Sequence, residues 1–275
     1  MFLMRKEAKL ADKLDKLLAG EIIEMPAGLL EEKLWQVLCK LETNDRQRQA
    51  ERESVLSLVS DISHQLKTPL AALSLHLELL EDESLTKEER IEFLSECQTQ
   101  TKKIQWFSDA LLKIARLETG LITVDKINAD LVKTIKEAIS SVKPLAMFKG
   151  LTIEEYLPNS LEIAHDPVWT KEALVNIMDN AIKYSTVGDI TVTLEKSAIY
   201  TRIDISDTGV GIYPDEYAKV FTRFYRARGS DINRTEGTGL GLTIAREILR
   251  QQGGNIIVSS EKGKGSVFSI FLQNC

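Results

Sequence analysis

Val55, Val59, Ile62, Leu66, Leu70, Leu73, Leu77 and Leu80 follow one another at spacings of 4, 3, 4, 4, 3, 4 and 3, which puts all eight on one stripe of an α-helix. The charged stretch Glu81-Asp-Glu-Ser84 interrupts the stripe. Thr86-Lys-Glu-Glu89 then has the form of a capping box, in which a threonine and a glutamate three residues later satisfy each other's backbone N–H groups and start a new helix. A second stripe follows through Ile91, Leu94, Cys97, Thr101, Ile104, Phe107, Leu111 and Ile114. Two long antiparallel helices are predicted. A lone hairpin leaves much of both seams wet, and pairing two hairpins into a four-helix bundle covers them, so a homodimer is the expected assembly.

The rest of the chain divides sharply around this hairpin. Leu10, Leu14 and Leu17, then Leu30, Leu34, Val37 and Leu41, are also helical in pattern, with a break between Gly20 and Gly28. The polar run Asn44-Asp-Arg-Gln-Arg-Gln-Ala-Glu-Arg-Glu53 closes that segment, which reads as a solvated helical connector or as a signal-transmitting coiled coil. Only Gly20 and Gly28 precede Gly120, whereas twelve of the fifteen glycines follow it, marking a change to a turn-rich α/β unit. Beyond that point Ile190–Leu194, Ile203–Ser206, Ile256–Val258 and Val267–Leu272 alternate as half-buried strands, and helical patterns cover about 129–147, 167–183 and 240–252. The predicted fold is therefore α plus α/β: a connector over 1–49, a hairpin over 50–119, and an α/β sandwich with a mixed sheet over 120–275.

Composition narrows the function classes. The chain has 275 residues, 43% of them hydrophobic, enough for two domains each with its own core. A net charge of −6 argues against a broad electrostatic grip on nucleic acid or acidic lipid. Cys39, Cys97 and Cys275 are odd in number and lack metal-ligand spacing, which fits a reducing compartment. No run approaches the ~20 apolar residues of a membrane span, so the expected setting is cytoplasmic, either as such or as the cytoplasmic portion of a membrane-anchored sensor.

Pro69 lies inside the first seam, where a helix-interior proline costs ~3 kcal/mol. Five residues earlier, His64 is about 200° round the helix from Ile62 and from Leu66, and so faces away from the seam. On spacing alone this describes an ordinary surface histidine as well as an accessible nucleophile. In the second half, Asn176 and Asn180 are one helical turn apart; a neutral amide can ligate Mg²⁺ through its oxygen and reach phosphate through its NH₂. Lys183 adds a point charge and Tyr184 a flat face. Asp207 follows a strand and precedes a turn with Gly209 and Gly211, and Gly237-Thr238-Gly239-Leu240-Gly241 opens a helix whose free N–H groups can hold phosphate oxygens. The spacing matches neither the dinucleotide fingerprint nor a P-loop.

Taken in order, these strings resemble the boxes of bacterial two-component sensor histidine kinases. Ser63-His64-Gln65-Leu66-Lys67-Thr68-Pro69-Leu70 resembles the phosphoacceptor box, and Asn176-Ile-Met-Asp-Asn180-Ala-Ile-Lys183-Tyr184 the N box. Asp207-Thr-Gly209-Val-Gly211 resembles the first glycine box, and Phe221-Thr-Arg223-Phe224-Tyr-Arg226 the box of aromatics. Gly237 to Gly241 resembles the second glycine box, and Gly263-Lys-Gly265-Ser a final weaker one. The resemblance spans residues 50 to 275. It implies a dimerisation and phosphoacceptor hairpin followed by a Bergerat-type ATP-binding domain, with ATP and Mg²⁺ as cofactors and a response-regulator receiver domain as partner.

Carried onto these positions, the resemblance makes His64 the phosphoacceptor, Asn180 the Mg²⁺ ligand, and Asp207 the acceptor for the exocyclic amine of adenine. Residues 213–236, with Arg223, Arg226, Arg228 and Arg234, become a lid over the phosphates. Thr68 takes the position that orients water for dephosphorylating the regulator, so a phosphatase activity is implied as well. One position departs from the pattern: Gln65 stands where the family commonly has Glu or Asp. An amide can orient the imidazole but cannot take up its proton, and Asp61, one turn before His64, is a candidate substitute. Two other readings are a nucleotide-binding scaffold of the same fold and a non-kinase ATPase of the gyrase superfamily. The second needs a water-activating glutamate where this chain has Asn176.

Overall fold

The computed structural model describes residues 29–228 and 237–274, with side chains at Gln36, at Lys40 and from Val55 onward. The helical pattern of Leu10, Leu14 and Leu17, the lid residues Gly229 and Arg234, and Cys275 lie outside the described residues. So do the side chains of Leu30, Leu34, Val37, Cys39 and Leu41. The chain divides into two compact units, one ending at His64 and one running from Gln65 to the C-terminus.

Helix α1 (Leu29–Leu79) crosses that division and continues through Pro69. Within the first unit, Val55 and Val59 are exposed at 57% and 55%, and Ser63 donates its hydroxyl to the Val59 carbonyl at 2.8 Å. In the second unit α1 ends in a turn that Arg90 closes by donating to the carbonyls of Leu80 and Asp82. Helix α2 (Lys87–Glu118) begins with the predicted capping box: Thr86 accepts from the Glu89 N–H, and the Glu89 carboxylate accepts from the Thr86 N–H at 2.9 Å. The rings of His76 and Phe93 meet across the turn with centroids 5.7 Å apart.

The second stripe has two destinations. Ile91 and Leu94, near its start, are exposed at 59% and 49%, whereas Phe107 and Ile114, with Ala110 and Leu117 beside the stripe, are buried. Those four face the α/β portion, not only a hairpin seam. Phe107 lies against Phe224, ring centroids 6.0 Å apart, Lys113 pairs with Glu172 at 2.6 Å, and Gln251 donates to the Leu117 carbonyl at 2.5 Å. Periodicity identifies the apolar face of a helix and says nothing of what covers it.

The α/β portion runs β1 (Ile127–Asp130), α3 (Leu131–Phe148), β2 (Thr152–Tyr156), β3 (Glu162–His165), α4 (Pro167–Tyr184), β4 (Asp189–Lys196), β5 (Tyr200–Asp207), two 3₁₀ turns at Pro214–Glu216 and Lys219–Phe221, α5 (Gly241–Gln251), β6 (Asn255–Glu261) and β7 (Gly265–Gln273). Its main sheet has the order β2-β4-β5-β7-β6, parallel between β2 and β4 and antiparallel elsewhere, and β1 pairs with β3 in a separate two-stranded ladder. The mixed sheet is as expected. So are the three helices and the four strands named from alternation.

The core follows from strand alternation and helical stripes. Along β5 Thr201, Ile203, Ile205 and Asp207 are buried while their neighbours are not, so one face of the sheet is covered. Ile135 and Ile139 of α3, Leu174, Ile177, Met178 and Ile182 of α4, and Ile244 and Ile248 of α5 supply the buried helical side. Each such side chain gains ~1.5–3 kcal/mol from leaving water. Two aspartates start helices: Asp130 accepts from the Val132 N–H, and Asp166 from those of Val168 and Trp169 at 3.0 Å. Among the described residues no helix is long and apolar enough to cross a membrane.

Candidate active site

A cavity opens over the covered face of the sheet, between α4 and the chain on either side of residues 229–236. Alternation along β5 continues to its last residue, so Asp207 points inward with Ile203 and Ile205 and is only 6% exposed. Desolvation pushes its carboxyl up to about 6, although the Gly209 and Ser266 backbone N–H groups, which donate to it, pull the other way. The Gly209 bond is 2.8 Å long. A Cβ on Gly209 would meet the Tyr184 carbonyl oxygen at 2.6 Å. The turn after Asp207 therefore lies directly on the end of α4.

From α4 the helical period brings Asn176, Asn180, Lys183 and Tyr184 to the cavity wall, together with Asp179. Asn176 donates through Nδ2 to the Glu172 carbonyl at 2.9 Å, which turns its oxygen toward Gly241: a Cβ there would meet Asn176 Oδ1 at 3.1 Å. Lys183 pairs with Asp179 at 2.5 Å. Across the cavity stand Gly237, Thr238, Gly239 and Gly241 at the start of α5, whose first N–H groups lack helical partners. The Thr238 hydroxyl is buried without a hydrogen-bond partner among the described residues. That orphan donor, the helix start and the paired asparagine amides fit a polyphosphate with a hard divalent cation.

The two ends of the segment around 229–236 cross at one point. Phe224 has a positive φ of 61°, a strained conformation for a residue of its size, and its N–H donates to the Gly239 carbonyl at 3.1 Å. Gly239 has a φ of 72°, and a Cβ on it would meet the Phe224 backbone at 2.7 Å. No larger residue fits there. Next to this crossing, the fully buried Glu216 accepts from the Tyr225 hydroxyl at 2.6 Å, the Arg228 N–H at 2.9 Å and Arg228 Nε at 3.3 Å. Burial alone would raise the Glu216 carboxyl. These donors outweigh it and hold the group at about 2.

The predicted residues are thus not all on the cavity. Asn176, Asn180, Lys183, Tyr184, Asp207, Gly211, Arg226, Gly237, Thr238, Gly239 and Gly241 line it. Gly209 and the fully buried Leu240 act from behind the wall. Arg223 pairs with Glu118 at the end of α2. In the phosphoacceptor string His64 and Thr68 are exposed on α1, and Asp61 and Gln65 are half-buried. Sequence reasoning did not pick out Glu216 or Trp106, which reaches the cavity from α2. Glu216 belongs to no periodic pattern, and Trp106 is one position off the apolar stripe.

Comparison with known proteins agrees with this geometry. Residues 54–120 match the His Kinase A (phospho-acceptor) domain, and residues 165–274 match the histidine kinase-, DNA gyrase B-, and HSP90-like ATPase family. The sensor protein SrrB of Staphylococcus aureus is 30% identical over 216 residues, covering 78% of this chain and 37% of that protein. The chain spans between 24% and 37% of the length of the first curated relatives it matches. Full-length ShkA, solved with AMPPNP, is 27% identical with a TM-score of 0.59 over 77% of this chain and 44% of that one. Histidine kinase ThkA, solved with the response regulator TrrA, shares the fold, with 19% identity and a TM-score of 0.68 over 85% of this chain and 66% of that one. With both domains present in the order that the helices, the mixed sheet and the cavity require, the chain belongs to the sensor histidine kinases of two-component systems.

Proposed function

We propose that the chain is an ATP-dependent protein-histidine kinase that phosphorylates His64 and passes the phosphoryl group to an aspartate of a response-regulator receiver domain. The observation that carries this reading is the pairing, in one chain, of an exposed His64 inside the phospho-acceptor match with a cavity that joins Asp207, Asn180 and the Gly237–Gly241 turn. The Asp207 carboxylate accepts from the exocyclic amine of adenine, and Tyr184 lies along the base. Asn180, with Asn176 one turn away, holds Mg²⁺ by its amide oxygen, and Thr238 with the first N–H groups of α5 holds phosphate oxygens. Bound Mg²⁺–ATP supplies the γ-phosphoryl group. Nε2 of His64 forms a bond to phosphorus as the bond to the bridging oxygen breaks and ADP leaves.

ShkA, solved with AMPPNP, and ThkA, solved with TrrA, support the nucleotide and the partner respectively. Residues 50–119 act as the dimerising phosphoacceptor hairpin and 120–275 as the ATP-binding domain, a division supported by the two domain matches. Thr68 orients the water that dephosphorylates the regulator. Incubation with γ-labelled ATP tests the reading: the label should be acid-labile and alkali-stable, and His64→Ala should abolish it while ATP affinity stays within about twofold, because ADP and ATP contacts come from other residues. Comparable label on His64→Ala would overturn the assignment.

A further inference from the structure

The cavity does not stop at the α/β portion. Trp106 of α2 lines it directly, and past Gly237 and Thr238 it continues into a second space bounded by Thr99, Lys102, Lys103, Trp106 and Lys183. The shared walls, Trp106, Lys183, Gly237 and Thr238, make the two spaces neighbours at the phosphate end of the site. Lys102 and Trp106 are one helical turn apart on α2 and Lys103 adjoins them, so one face of the helix presents two ammonium groups and an indole toward that end.

Charge makes this placement informative. Of the cations that sequence offers for the phosphates, Arg226 lines the cavity, whereas Lys183 pairs with Asp179, Arg223 with Glu118, and Arg228 with Asp215 and Glu216. Asp179 also stands on the cavity wall. A triphosphate brings about four negative charges, and its outer end would lie nearest Thr238, whose buried hydroxyl awaits an acceptor. We infer that Lys102, Lys103 and Trp106 of α2 complete the nucleotide site of this protein, the lysines holding the outer phosphate of ATP and the indole closing the cavity beside Tyr184. The nucleotide site is then shared between the phosphoacceptor hairpin and the ATP-binding domain of the same chain, and it discriminates ATP from ADP through the hairpin helix.

This inference rests on the cavity being the ATP site, and one set of calorimetric titrations of the full chain with Mg²⁺–ATP and Mg²⁺–ADP separates the two. Lys102→Ala with Lys103→Ala should weaken ATP by about tenfold, near threefold per charge, and ADP by less than twofold, with the ATP effect shrinking at high salt. Trp106→Phe should weaken ATP and ADP alike, by a few fold at most, and remove the nucleotide-dependent change in tryptophan emission, leaving Trp35 and Trp169 as background. A parent that binds neither nucleotide overturns the ATP-site reading itself. A parent that binds both, with a double variant unchanged or weakened equally for ATP and ADP, overturns the shared site alone, as does an emission change that survives Trp106→Phe.

Discussion

Asp207 stands where strand alternation buries an acid, and the cost of that position can be read from pH. Its carboxyl is raised from 3.8 to about 6 by desolvation, so the folded state holds this proton more tightly than the unfolded chain does. Below 3.8 the group is neutral in both states and costs nothing. As pH rises through the window from 3.8 to 6 the folded state loses stability, and above 6 the full penalty, about 3 kcal/mol, is present. Asp207→Asn removes the titration, so urea melts without nucleotide should show the variant gaining on the parent by up to about 3 kcal/mol between pH 4 and 7. The same variant should weaken ATP binding, since an amide offers only one acceptor oxygen where Gly209, Ser266 and adenine all require one. A stability difference that is flat across that window would contradict the buried-acid account. Gln65 poses the second question at this scale. Pro69 has no N–H for the Gln65 carbonyl four residues earlier, yet α1 runs through both. If a base beside His64 limits phosphoryl transfer, Gln65→Glu should speed single turnover by up to ~10²–10⁴-fold, and equal rates for the two proteins would leave glutamine an orienting role only.

Among the elements, the segment that leads into residues 229–236 depends on one buried carboxylate. Glu216 takes three donors from Tyr225 and Arg228; removing it leaves the half-buried Tyr225 hydroxyl without its acceptor, at ~1–3 kcal/mol, and frees the exposed Arg228 to turn to water. Glu216→Ala should therefore accelerate amide exchange over Phe224–Arg228 and weaken ATP, while β5 and β7 exchange as in the parent; unchanged exchange at Phe224–Arg228 would show that Glu216 does not anchor the segment. No sequence pattern marked this residue, and the reason is general. Helices α3, α4 and α5 and strands β4 to β7 were legible because each repeats its apolar spacing over several residues. The Thr86 capping box was legible because it is local. By contrast β2, Thr-Ile-Glu-Glu-Tyr, is an edge strand with one half-buried residue, and β1 and β3 are four residues each, too short for alternation to register. The split destination of the α2 stripe was not legible either, since Phe107 and Leu94 satisfy the same period and only the tertiary neighbour distinguishes them. At the site, residue types and order named the cavity wall, but the engagement of Arg223 by Glu118 depends on a contact 105 residues apart in sequence.

For the molecule as a whole, what remains exposed is as informative as what is buried. Leu70 and Leu77 of α1 are exposed at 47% and 51%, and Ile91 and Leu94 of α2 at 59% and 49%, all on the stripes that the heptad-like spacing defines. Apolar surface so arranged on one face is expensive to leave in water, roughly 1 kcal/mol for each half-exposed leucine or isoleucine. A two-fold symmetric interface covers each residue once in each protomer, and these residues with Val55 and Val59 then contribute roughly 12 kcal/mol, of the same order as the ~4–15 kcal/mol entropic cost of association. The unmodified chain should sediment as a dimer at micromolar concentration. Leu73 lies within the same seam and is half-buried in one chain, so Leu73→Glu would bring two carboxylates to the symmetric interface and should shift sedimentation to the monomer. The nucleotide cavity runs from Trp106 to Phe268 within one chain, so the monomer should keep its affinity for ATP. That second measurement separates a broken interface from a broken fold. A parent that sediments as a monomer, or a Leu73→Glu variant that stays dimeric with its nucleotide affinity intact, would refute the four-helix assembly.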